Sequence, residues 1–142
     1  MSSKNSNPEF GLKLISFVNG MASLLHLSFW IFALFKLPDL SSTVTVEAKS
    51  NLATVYGFAI ADLVLSVPLL FMGSILLWKK KLTGWLAAHM ANILYWYSFI
   101  VIISRDLTNV SFAPGTIIFM PFALFSIWAA FYLWKARDIY LN

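Results

Sequence analysis

The chain contains no cysteine. That excludes thiol–disulfide chemistry, iron–sulfur ligation and thiolate zinc sites. Charge is scarce as well. Only 11% of the 142 residues are Asp, Glu, Lys or Arg, where soluble domains carry about 25%. Apolar residues make up 60%, against about 45–50% in a soluble domain. These two departures exclude an ordinary soluble fold and predict an integral membrane protein. Its length fits one domain, 1–142, with no room for a soluble partner domain. Internal repeats and low-complexity tracts are absent. So are the H-E-x-x-H, G-x-S-x-G and phosphate-loop motifs. There are two histidines, His26 and His89, and they fall in different apolar segments at different depths. No metal and no cofactor is expected from such a set.

What the chain has in quantity is long apolar runs. Four are long enough to cross a hydrocarbon core of about 30 Å: about 14–35, 53–78, 82–104 and 115–134. The first is longer than the 7–15-residue core of a signal peptide, and no A-x-A site follows it. The expected fold is all-α, a four-helix membrane bundle. Residues 1–10 read as a polar tail. Residues 37–52 form the longest connection, with Val44-Thr45-Val46 readable as a short extended or amphipathic piece. Thr83-Gly84 marks the turn of a tight hairpin between spans two and three. Pro68 predicts a kink in span two.

The net charge of +4 sits in short clusters beside the apolar runs, a pattern of membrane anchoring rather than nucleic-acid binding. Lys4, Lys13, Lys79, Lys80, Lys81, Lys135 and Arg137 flank alternate connections, against Lys36, Lys49 and Arg105 on the others. That asymmetry predicts both termini and the Lys79–Lys81 turn in the cytoplasm. The expected location is a multi-pass position in a cell membrane, or in an organelle membrane of a eukaryote. Trp30, Trp78, Trp85, Trp134, Tyr56 and Tyr132 lie near span ends and read as interfacial belt residues.

Polar residues inside the spans point to a site. Asn19, Ser23, His26 and Trp30 share one helical face of span one; Asp62, Ser66 and Gly73 share one of span two; His89, Asn92 and Trp96 share one of span three. At about 1.5 Å per residue, His26, Asp62, Asn92 and Trp96 reach similar depths. His89 and Asn19 form a candidate second pair nearer the cytoplasmic side. Inward polar residues commonly act as interhelical glue, worth about 0.6 kcal/mol each. Asp62 differs, because a carboxylate at mid-span costs about 2.5–3.5 kcal/mol and marks a functional site by default. Arg105 is a candidate partner for Asp62, but its helical direction favours snorkelling to headgroups. Asp106 lies closer to the polar face, at the rim of a cavity mouth. The expected ligand-binding set is Asp62, His26, Asn92, Trp96 and Tyr95, with Phe122 a further aromatic wall.

The segment Ala61 to Pro68, ADLVLSVP, carries an acid six residues before a proline, in an acid-Leu-Val-x-x-x-Pro pattern. With four spans, a basic turn after that helix and a histidine in the third span, it resembles the EXPERA family of emopamil-binding isomerases and the sigma-2 receptor. The specific likeness covers about eight residues. It implies an intramembrane cavity for an amphipathic or sterol-like molecule. In that family a second acid commonly stands in span one, where this chain has His26. Three readings follow. The first is a binding protein for a small amphipathic or lipid-like molecule. The second is a cofactor-free isomerase that moves a proton with Asp62 and His26. The third is a structural subunit of a larger membrane complex or homo-oligomer. Membrane lipids are partners in all three, and nucleic acid in none.

Overall fold

The computed structural model describes residues 8–42, 45–112 and 114–141. The described residues are nearly all helical and form no strand. The order is α1 (Pro8–Lys36), a 3-10 turn (Leu40–Ser42), α2 (Val46–Ala61), a π-helical turn (Asp62–Ser66), α3 (Val67–Trp78), α4 (Leu82–Thr108), α5 (Pro114–Lys135) and the short α6 (Asp138–Leu141). Four continuous helical segments are long and apolar enough to cross a membrane: Glu9–Lys36, Val46–Trp78, Leu82–Thr108 and Gly115–Lys135.

All four are longer than the sequence windows. α1 opens at Pro8, so residues 8–10, expected in a tail, are helical. Proline suits a first helical position because its missing N–H would be unpaired there anyway. Residues 1–7, with Lys4, lie outside the described set, as does Val44. Thr45 is an N-cap, its Oγ1 accepting from the Ala48 amide at 3.2 Å, and α2 begins at Val46. The second half of the long connection is therefore helix.

α3 sits at the centre of the packing, with α1 on one side and α4 on the other; α5 packs on α4. The α3–α4 hairpin turns at Lys79–Lys81, not at Thr83-Gly84, which already belong to α4. Lys80 has φ 54°, and the amides of Lys80 and Lys81 donate to Leu77 and Leu76 carbonyls at 2.9 Å, a Schellman closure. Gly84 is required by close approach: a Cβ there would lie 2.2 Å from the Leu76–Leu77 backbone. At Gly73 a Cβ would lie 3.1 Å from the Ala88 backbone, a tight fit to which the neighbour would have to yield. With Ala87 and Ala91 buried nearby, this is a seam of small residues. In lipid such seams hold helices by contact, since there is no water to expel between them.

Two apolar clusters follow. Leu12, Ile15, Leu77, Ala88, Ala129 and Leu133 fill the lysine-rich end; Ala22, Leu70, Ala91 and Tyr95, backed by Phe119 and Phe122, fill the middle. Phenylalanine, leucine and isoleucine crowd the outer faces, as a lipid-facing surface should. α2 is the exception to close packing. It buries only Leu52 and Ala59 and touches α1 lightly.

Candidate functional site

Asp62 opens the π-helical turn and is 7% exposed. Six residues later stands Pro68, which has no N–H for the helical ladder and whose ring would clash with the carbonyl four residues back in an α-helix. The chain answers with one widened turn, in which the Val67 amide donates back to the Asp62 carbonyl. The kink expected at Pro68 thus takes the form of a π turn just before it. Ser23 Oγ donates to the Val67 carbonyl at 3.2 Å and ties α1 to this turn.

The carboxylate gathers three partners. His26 Nε2 lies 3.0 Å from Oδ2, the Trp30 indole N–H donates to the same oxygen at 2.8 Å, and Ser66 donates to Oδ1 at 2.9 Å. His26 and Trp30 are four apart on α1, so one helical face delivers both. Ser66 comes from the last position of the π turn. The three contacts answer the cost of a mid-span acid: the charge or its proton is held by short, directed bonds rather than by water. The His26 ring packs on Tyr95 and Phe119, at centroid distances of 6.2 and 6.3 Å, and those two rings stack at 4.7 Å.

Beside Asp62, a cleft of about 430 Å³ lies between α2 with its π turn and α4. Thr54, Phe58, Leu65, Tyr97 and Ser98 line it with Asp62. Its lining is mostly apolar, with the carboxylate as its one acid. A second hollow of about 660 Å³ runs between α4 and α5, lined by His89, Trp96, Ile127, Ala130, Phe131 and Trp134. It is larger, but Asp62 does not reach it.

The residues expected at one site therefore divide. Asp62 and His26 meet, and Tyr95 joins them through its ring contact with His26. Trp96 does not. It packs against Phe99 at 5.8 Å and faces the α4–α5 hollow. Equal depth was no guarantee of contact, because α4 turns that face away from α1. Asn92 is 3% exposed, and its Nδ2 makes no hydrogen bond among the described residues. The Asn19–His89 pair does not form: among the described residues Asn19 Nδ2 and His89 Nε2 each lack a hydrogen-bond partner, and the His89 ring sits edge-on to Trp85 at 4.5 Å. Arg105 pairs with Asp106 at 2.7 Å, and Asp106 accepts from Thr116 at 2.5 Å, so this buried acid ties α4 to α5 rather than rimming a cavity. Trp30 and Trp85 are not belt residues only. Trp30 is buried on Asp62, and Trp85 donates to the Leu133 carbonyl at 2.9 Å. The Trp30 role was readable from its place on the face of His26. Ser98 and Thr54 carried no sequence mark that set them apart.

No three metal-ligating side chains gather among the described residues. Comparison with protein-family models, with curated proteins and with solved structures finds no match. Fold and site together define a class: an all-helical chain with four membrane-length helices and a triply bonded, mid-span carboxylate beside a cleft.

Proposed function

We propose that this chain is a multi-pass membrane protein that binds a small amphipathic, lipid- or sterol-like molecule with its polar group at Asp62. One observation carries the reading. Asp62 is held in place by His26, Trp30 and Ser66, yet it also lines the α2–α4 cleft. A carboxylate offers about four acceptor positions, and three are taken. The remaining capacity fits a hydroxyl or amine donor entering through the cleft. Phe58, Leu65, Leu94 and Tyr97 would meet the apolar body. The cleft is an opening between helices, the form a molecule arriving from within the bilayer requires. In this reading the termini and the Lys79–Lys81 turn face the cytoplasm, as the basic residues predict.

An isomerase reading uses the same residues and is favoured by the His26–Asp62 contact. Asp62 would exchange a proton with the bound molecule and His26 would accept or return it. Turnover of the bound molecule separates this from binding alone.

The test begins with mass spectrometry of molecules that copurify with the full chain in mild detergent. The molecule found is then used in thermal-shift titrations of wild type, His26→Ala, Asp62→Asn and the double variant. The expected result is loss of the ligand-induced shift in each single variant, and a loss in the double smaller than the sum. Strictly additive losses would remove the shared polar centre. Absence of any copurifying molecule would move the structural-subunit reading ahead.

A further inference from the structure

The α4–α5 hollow is separate from the Asp62 cleft, and its surroundings differ. Its walls are Trp96, Ile127, Ala130, Phe131 and Trp134, with His89 as its only titratable lining residue. Along each helix it extends over seven residue steps, from His89 to Trp96 on α4 and from Ile127 to Trp134 on α5. That is about 10 Å of groove. Its α5 boundary, Trp134, lies one residue from the helix end at Lys135. There the Arg137 guanidinium stands 5.0 Å from the centre of the Trp134 ring. The groove is therefore apolar along its length and cationic at its mouth. Among the described residues the anion paired with Arg137 is Asp138, at 3.7 Å, and both side chains are exposed. A surface pair of that kind is weak and yields easily to a better anion.

We infer that this groove is a binding site for an anionic phospholipid. An acyl chain lies along Phe131 and Ile127, and the headgroup phosphate meets Arg137 above Trp134. The charge at the mouth selects the ligand. A zwitterionic lipid fills the groove equally well but offers its phosphate beside a cation of its own. One basic contact at a membrane surface corresponds to roughly a fivefold preference for the anionic lipid. A guanidinium held over an indole face is also well placed to give two parallel bonds to a phosphate.

The test is native mass spectrometry of the full chain in detergent, titrated with dioleoylphosphatidylglycerol or dioleoylphosphatidylcholine. The expected ratio of affinities is about fivefold in favour of the glycerol lipid. Arg137→Gln should bring that ratio to about one and leave the choline lipid unchanged. Ala130→Phe should weaken both lipids by filling the groove, with Ala130→Leu as the milder variant if the larger ring impairs folding. Lys79→Gln, on the neighbouring hairpin turn, should leave the ratio as it was. An unchanged ratio in Arg137→Gln, an equal loss in Lys79→Gln, or normal binding when Ala130 is enlarged would each overturn the site. None of these results bears on Asp62.

Discussion

Asp62 sits at the centre of the 33-residue segment Val46–Trp78, where a carboxylate has least access to water. Its substitutions separate burden from purpose. Asp62→Asn can keep a carbonyl oxygen toward Trp30 and turn its amide toward Ser66, whose hydroxyl accepts as well as donates. It should fold with little loss and fail to bind ligand. Asp62→Leu leaves the Trp30, Ser66 and His26 groups facing a methyl, at about 1–3 kcal/mol for each group left unpaired. Thermal unfolding in detergent should therefore rank wild type and Asp62→Asn above Asp62→Leu. A leucine variant more stable than wild type would mean the acid is a tolerated burden. Tyr140 offers a second residue-scale test, outside the spans. Its hydroxyl is buried without a hydrogen-bond partner among the described residues, and burial, helped by nearby Tyr132, pushes the phenol up to about 12 from 10.0. The folded state then holds this proton more tightly than the unfolded chain. Stability is therefore independent of this ionisation below pH 10.0 and falls as pH rises toward about 12. Tyr140→Phe should flatten that alkaline loss and leave stability at neutral pH equal or slightly higher. The His26–Asp62 meeting was legible because a lone acid and a nearby imidazole stand out in apolar runs. Trp30 carried two signs at once, a place on the face of His26 and a place near a span end, and the bond to Asp62 shows that the first one held.

At the scale of elements, the spans were legible and their caps and turns less so. Hydropathy marks where a helix is apolar, while the helix itself continues to the residue that closes its hydrogen bonds. α4 runs to Thr108 and ends in a second Schellman closure, with Ser111 donating to the Asp106 carbonyl at 3.1 Å and Val110 at φ 51°. A β-branched residue is strained in that region, and Val110 is 93% exposed, so its side chain gives little back. Val110→Gly should raise stability by about 1 kcal/mol in a denaturant or thermal series. Lys80→Gly relieves similar strain but forfeits the surface contact of Lys80 with Glu9, so its gain should be smaller. The π turn had no spelling of its own. Five residues are too few to shift a helical period, and Pro68 announced only that some adjustment was needed. Pro68→Ala restores an N–H that can pull the turn back to α-helical spacing. The expected result is a ligand-free fold that persists with weaker binding at Asp62, read by the thermal shift.

For the whole molecule, the absence of native cysteine gives a clean background for topology mapping. Lys80→Cys and Ser42→Cys lie at opposite ends of span two. In intact cells an impermeant thiol reagent should label Ser42→Cys and spare Lys80→Cys. The reverse pattern would invert the orientation without disturbing any contact described above. The fold class followed from composition, because four apolar runs in so short a chain leave few other arrangements. The pairing of α3 with α4 was expected from the short turn between them, but the faces they share were not, since the Gly73–Ala88 and Gly84–Leu76 approaches depend on which side each helix turns inward.

Span two is also too long for an upright fit. Its apolar part, 53–78, reaches about 39 Å as helix, against a hydrocarbon core of about 30 Å. Its α3 half is clamped between α1 and α4, so the excess length falls to α2. A rod fixed at one end is a lever. α2 is about 24 Å long, and a 10° swing about the π turn moves its far end by roughly 4 Å. The gape of the Asp62 cleft is then set partly by how steeply the host bilayer makes α2 lean. Under the proposed binding function, a thin membrane and a thick one would tune the same protein to different affinities, with no change in its sequence.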